Sequence, residues 1–239
     1  MVEFATMTLV GRSILEHYET GIPVEVHQRI NDQPWEEPMN TRHFFRTELE
    51  MSELERLALD HCRGNVLDLG AGAGAHAHAL QERGFSVLAV DWDECSCRVM
   101  QQRGILQVLQ GDMWDIDLRP FDTIYMLMNG IGMCARVEGV ERWLKKCASE
   151  MLPGARLIAD SSHLYSGWDE EAIDLQDAYL GEVTFHLKAR IGDEEFKESL
   201  HWIFPDVALL EAIAEEVGLH FQVLSEQEDG AYLFAFTKS

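Results

Sequence analysis

Apolar positions follow two periods along the chain. From Asn65 onward, short apolar runs alternate with stretches of helical spacing. Val66–Leu69 predicts a buried strand, and Gly74–Glu82 a helix that ends near Gly84. Ser86–Val90 predicts a second strand, followed by a helix through Arg98 and Met100 to Gly104. Ile105–Leu109 and Phe121–Met128 predict the third and fourth strands. Within 137–151, Val140, Trp143, Leu144, Cys147 and Met151 share one helical face, and Pro153-Gly154 breaks the helix. Arg156–Ala159 predicts a fifth strand. Asp206 can cap a helix with Val207, Leu210, Ile213 and Val217 on its apolar face, closing at Gly218. Leu219–Leu224 and Ala231–Thr237 then read as an antiparallel hairpin at a sheet edge. Alternating strands and helices predict an α/β fold, with a parallel sheet covered on both faces.

Two stretches stand outside this rhythm. Residues 1–64 mix helix-like pieces with an irregular part holding Pro23, Pro34 and Pro38, and end in a helix near Ser52–Cys62. They predict an N-terminal helical lid ahead of a domain spanning 65–239. Inside that domain, Val183, Phe185, Leu187 and Ala189 alternate with polar residues, and 196–204 does so after a turn at Gly192-Asp193. That predicts a β-hairpin inserted at about 161–205.

Charge narrows the choice of partner. Against 42 Asp+Glu there are 19 Lys+Arg, a formal net charge of −23. Nucleic-acid phosphates and anionic membrane surfaces both need a basic face, so neither is an expected partner. Hydrophobic residues make up 46%, enough for a full core. Five scattered cysteines without CxxC or Cys/His zinc spacing predict reduced thiols and no metal. The opening MVEFATMTLVGR lacks a basic leader, so the expected location is the cytoplasm.

The candidate chemistry lies at the first strand-to-helix turn. Gly70-Ala71-Gly72-Ala73-Gly74-Ala75 fits the dinucleotide pattern G-x-G-x-x-G/A, with Asp91 about 20 residues on. Glycines let the backbone approach a ligand, and a helix N-terminus offers free N–H groups. On this reading alone the ligand is a nicotinamide or flavin. Two further acids change the picture. Asp68 precedes the first glycine by two, and Asp112 follows the third strand in Gly111-Asp112-Met113. With Asp91 they put carboxylates at the ends of three neighbouring strands. Such a wall repels a pyrophosphate but suits ribose hydroxyls, amino groups and a positive sulfur. The competing reading of each acid is an ordinary cap or turn residue.

At these residues the sequence resembles the class I S-adenosylmethionine-dependent methyltransferases, over about Asn65 to Ser239. The resemblance is carried by Asp68-x-Gly70-x-Gly72-x-Gly74, Asp91, Gly111-Asp112-Met113, Phe121-Asp122 and Met151-Leu152-Pro153-Gly154-Ala155. His43-Phe44-Phe45-Arg46 looks like part of a bacterial small-molecule branch. The resemblance implies a Rossmann-like, mostly parallel seven-stranded sheet with an antiparallel last strand. It also implies S-adenosylmethionine as cofactor. Gly70, Ala71 and Gly72 would then line its methionine part, with Asp68 ordering the loop and Arg46 or Arg42 for the carboxylate. Asp91 would take the ribose, Asp112 the adenine amine and the Met113 N–H a ring nitrogen, with Trp92 and Met128 also binding the cofactor and Asn129 beside the methyl.

The acceptor is less legible. Tyr18, Trp35, His43, Phe44, Trp168, His186, His201 and Trp202 fall in the two flanking stretches, where aromatic faces can enclose a small molecule. Tyr18, His43 and Trp202 are the candidate substrate residues, with core packing as the competing role. His163, after the fifth strand, is a candidate base beside Asn129. Met128-Asn129-Gly130 departs from the Asn/Asp-Pro-Pro-aromatic motif of nucleic-acid and protein N-methyltransferases. Asn129 also stands where the catechol type needs a metal-binding acid. Three readings stay open here. They are methyl transfer to a small molecule, nicotinamide-dependent oxidoreduction, and a non-catalytic cofactor-binding subunit. A homodimer is compatible with each.

Overall fold

The computed structural model describes residues 7–36, 38–163 and 179–239; Trp168 lies outside them. In chain order the elements are α1 (Leu9–Thr20), β1 (Glu25–Ile30), β2 (Met39–Asn40), two short 3-10 turns (Thr41–Phe45 and Glu48–Glu50), α2 (Glu53–His61), β3 (Asn65–Leu69), α3 (Ala75–Glu82), β4 (Ser86–Asp91), α4 (Glu94–Gln102), β5 (Val108–Gln110) and β6 (Thr123–Met126). A third 3-10 turn (Gly130–Cys134) is followed by α5 (Val137–Glu150), β7 (Arg156–Ser162), β8 (Glu182–Ile191), β9 (Glu194–Ile203), α6 (Val207–Val217), β10 (Leu219–Glu226) and β11 (Ala231–Lys238).

The larger sheet has seven strands in the order β10-β11-β7-β6-β3-β4-β5. The pairs β3–β4, β4–β5 and β6–β7 are parallel. The last strand, β11, runs antiparallel to both of its neighbours. Strand order turns back at β3, and in such sheets ligands bind at the carboxyl ends of the strands near the reversal.

A second sheet has the order β2-β1-β8-β9, so the N-terminal part carries two strands beside its helix-like pieces. β1 pairs antiparallel with β8, from Val26 opposite Ala189 to Ile30 opposite Phe185. The predicted hairpin is therefore part of a larger sheet. β1 escapes the sequence pattern because Gln28 interrupts its inner row between Val26 and Ile30. Leu9, Val24, Val26, Leu187 and Ala189 form a core cluster of this region.

Two strand starts also differ from expectation. α4 ends in a left-handed Gly104 (φ 83°), and Ile105 N–H closes back on the Met100 carbonyl at 3.1 Å. Ile105 is thus spent on closing the helix, and β5 begins at Val108. Phe121 is likewise held in a turn, its N–H donating to the Leu118 carbonyl, so β6 starts at Thr123.

The chain forms two compact units, one drawn from 1–52, 65–116 and 184–200, the other from 53–64, 117–183 and 201–239. In the first, Ile14, Ala73 and Val99 form a buried cluster with Phe44 and Phe45 against it. In the second, Tyr125, Trp143, Tyr232, Phe234 and Phe236 are fully buried. All five cysteines are buried free thiols. Among the described residues, no helix is long and apolar enough to cross a membrane.

Candidate active site

The turn after β3 is shaped by three left-handed glycines, Gly70 (φ 72°), Gly72 (φ 57°) and Gly74 (φ 78°). Side-chain-bearing residues resist that conformation, which accounts for the alternation read from the sequence. The loop is held at several points. Gly70 and Ala71 N–H donate to the Val90 carbonyl at 2.9 and 3.1 Å, and Gly74 N–H closes on the Ala71 carbonyl at 2.8 Å. Gly74 is the N-cap of α3 and brings no side chain to cap it. The α3 N-terminus therefore keeps donors and a partial positive charge.

Asp68, in β3, is 2% exposed, and its Oδ2 has no hydrogen-bond partner among the described residues. Burial pushes its carboxyl up to about 6, against the opposing pull of His76 and the Ala77 N–H. Asp91, at the end of β4, is 8% exposed. Its Oδ2 accepts from Gly72 N–H at 2.8 Å and its Oδ1 from Asp93 N–H at 2.9 Å. Burial again raises the carboxyl to about 6; the two amides oppose the rise, and the charges of Asp93 and Asp68 add to it. The structure thus brings both predicted acids to one glycine loop. Trp92 follows with 53% of its surface exposed. After β5, Gly111 N–H donates to the Asp91 carbonyl at 3.0 Å. Asp112 there is exposed, its Oδ1 accepting from Trp114 N–H at 3.1 Å, and Met113 is buried.

From the N-terminal part of the same unit, Phe44 lies against the loop, its ring 3.5 Å from where a Cβ on Gly72 would stand. Arg46 is buried and donates to the His43 carbonyl. His43 is exposed, its ring edge-on to Phe44. Tyr18, partly exposed on α1, stacks with Phe45 at 6.3 Å between centroids. Asp93 is a site residue that sequence reasoning passed over. It caps α4 through Ser96 N–H (2.9 Å), also accepts from Thr8 N–H at the start of α1, and holds Asp91 with its own amide. An Asp just before a helix is a capping signal that could have found it. Arg103, whose Nη1 donates to the Ala73 carbonyl, carried no such signal.

In the second unit, β6 runs into two consecutive left-handed residues, Met128 (φ 63°) and Asn129 (φ 55°). Non-glycine residues held there carry strain, which proteins keep mostly at functional positions. Asn129 N–H donates to Asp160 Oδ1 at 2.8 Å, and Ser162 Oγ donates to Asn129 Oδ1 at 3.3 Å. In the following turn, a Cβ on Gly132 would fall 1.9 Å from Trp202 Nε1. Trp202 therefore packs directly on that glycine. His163 sits over the β10–β11 hairpin. Its N–H donates to the Gly230 carbonyl, its ring is 5.5 Å from that of Tyr232, and its Nε2 is 4.0 Å from Glu226.

Comparison with known proteins gives this geometry a family. Residues 66–154 match the model of a methyltransferase domain. No curated protein matches the chain. Among solved structures, an S-adenosylmethionine-dependent methyltransferase from Bacteroides fragilis, in complex with S-adenosyl-L-homocysteine, is 30% identical with a TM-score of 0.86. The match covers 100% of this chain and 98% of that one. The CcbJ methyltransferase from Streptomyces caelestis shares the fold at 12% identity and a TM-score of 0.66, covering 99% and 100%. So does the sugar N-methyltransferase KedS8 from Streptoalloteichus, at 17% and 0.57, covering 82% and 92%. Full-length similarity, the matching domain model and the seven-stranded sheet agree: the chain belongs to the class I S-adenosylmethionine-dependent methyltransferases.

Proposed function

We propose that the protein transfers a methyl group from S-adenosylmethionine to a small-molecule acceptor and releases S-adenosylhomocysteine. The observation that carries this reading is the pair of buried carboxylates at the glycine loop, Asp68, whose Oδ2 has no partner among the described residues, and Asp91 at the strand end. A buried carboxylate oxygen without a donor, beside a second buried carboxylate, favours a ligand that brings donors or positive charge. An ammonium, two ribose hydroxyls and an adenine amine do so, and the residues present fit that group. Family membership sets aside the nicotinamide and non-catalytic readings.

S-adenosylmethionine, when bound, supplies a methyl group already activated by its sulfonium. Asp91 accepts from the ribose hydroxyls. The backbone of Gly70, Ala71 and Gly72 lines the methionine part, where Asp68 faces the ammonium and Arg46 the carboxylate. Asp112 takes the adenine amine, the Met113 N–H a ring nitrogen, and the exposed indole of Trp92 covers the base. Transfer is an in-line displacement, so alignment and exclusion of water do most of the catalysis, and a general base is needed only for a weakly acidic acceptor. Met128 and Asn129 form the strained corner on the acceptor side, with Asn129 beside the transferred methyl and His163 as the base. Tyr18 and His43 in the first unit and Trp202 in the second are the residues assigned to the acceptor, and residues 1–64 are the cap segment. The five buried thiols support a reducing compartment such as the cytoplasm.

The acidic surface supports a small acceptor over nucleic acid. The test is methyl-labelled donor incubated with the protein and a cell extract split into small-molecule and macromolecular fractions. Label is expected in a filterable product that depends on the enzyme. Label confined to protein or nucleic acid contradicts the reading.

A further inference from the structure

We propose that Arg103 is a positioning residue for cofactor binding, fastening the glycine loop to both α4 and the N-terminal segment. The loop's peptide groups are pinned one by one. Gly70 and Ala71 amides go to Val90, the Gly72 amide goes to Asp91, and the Gly74 amide closes the turn on Ala71. Each of these ties acts through a loop N–H. Arg103 adds one through a carbonyl, donating from Nη1 to Ala73, the residue before the α3 N-cap. The orientation of the Ala73–Gly74 peptide fixes where α3 begins, and with it the direction of the N–H groups at its first turn.

The same guanidinium reaches the N-terminal segment. Nη1 is 3.5 Å from the Phe44 carbonyl, and the charge lies 5.2 Å from the Phe45 ring centroid. Phe44 in turn covers Gly72. Arg103 is also the C-cap of α4, whose N-cap is Asp93, the residue that holds Asp91. At about 1.5 Å per residue, a helix this short is a stiff strut. One end of α4 braces the ribose-binding acid and the other braces the glycine loop. Arg103 itself need not touch the cofactor; it acts through Ala73 and Phe44.

The inference rests on the glycine loop being the cofactor site, and the test separates the two. S-adenosylhomocysteine is titrated calorimetrically into the wild type, Arg103→Met and Arg103→Lys, and kcat, KM for S-adenosylmethionine and Tm are measured alongside. Arg103→Met is expected to weaken binding by about tenfold, the loss of one charge-assisted bond. KM should rise in parallel while kcat at saturating donor changes by no more than about twofold. Arg103→Lys should recover part of the affinity, since an ammonium keeps a charged donor for the Ala73 carbonyl but loses the planar stacking over Phe45. If Arg103→Met fails to fold, Arg103→Lys decides: affinity equal to wild type in the folded variant overturns the proposal. So does a fall in kcat with KM and affinity unmoved. Failure of the wild type to bind overturns the cofactor site and this inference together, whereas wild-type binding with unaltered variants overturns this inference alone.

Discussion

At the scale of single residues, Asp68 and Asp91 set the pH behaviour. Burial raises both carboxyls from 3.8 to about 6, with Asp93 and His76 as their charged or titratable neighbours. An unfolded chain would release these protons near pH 4, and the folded protein holds them to about 6. Between those values the native state binds more protons, so these groups stabilise it in acid and lose that contribution as pH rises. A tenfold difference in proton affinity between the folded and unfolded chain is worth about 1.4 kcal/mol, which makes the effect on the order of 3 kcal/mol per carboxyl. A ligand that donates hydroxyls and an ammonium prefers the ionised pair. The thermal shift produced by saturating S-adenosylhomocysteine is therefore expected to be larger at pH 7.5 than at pH 5, as differential scanning fluorimetry can read. An equal or smaller shift at pH 7.5 would contradict the assignment. Asn129 allows a second test, because its backbone is left-handed. Asn129→Gly removes the side chain and relieves the strain, so Tm should hold or rise while turnover falls by about tenfold or more. Unchanged turnover would remove Asn129 from the chemistry.

At the scale of elements, close approaches say which packings matter. A Cβ on Gly11 would stand 2.0 Å from Asp93 Oδ1, so α1 can dock on that carboxylate only through a glycine. Gly11→Ala should push α1 off Asp93, destabilise the protein by about 1–3 kcal/mol, and weaken cofactor binding through the Asp93–Asp91 bond. Chemical denaturation and calorimetry check the two halves. Gly132→Ala should displace Trp202 instead, raising the acceptor KM while leaving affinity for S-adenosylhomocysteine unchanged. The helices and strands of the α/β core were legible because their apolar residues repeat cleanly, as in α5, or run unbroken, as in β3. β1 was not, since Gln28 breaks its row and its partner lies about 160 residues away in β8. Long-range pairing leaves no local trace, and for the same reason the second sheet shows in the sequence only as a hairpin.

At the scale of the whole molecule, the legible part of the site is the part written in one stretch of chain. Asp68, the three glycines and Asp91 sit within 24 positions of one another, and the structure gathers them as their order implied. Residues that brace the site from a distance in sequence, Phe44 and Arg103 against the glycine loop and Thr8 against Asp93, leave no local pattern in the chain. The acidic surface is a property of the entire chain and bears on the acceptor rather than on the fold. The central claim is that Asp91 holds the ribose of S-adenosylmethionine at this loop. Calorimetric titration of S-adenosylhomocysteine into the wild type and Asp91→Ala tests it most directly. Binding by the wild type is expected, with a loss of roughly 1.5–3 kcal/mol in the variant, about 10- to 150-fold in Kd. A folded Asp91→Ala that binds as tightly as the wild type, or a wild type that does not bind at all, would contradict it.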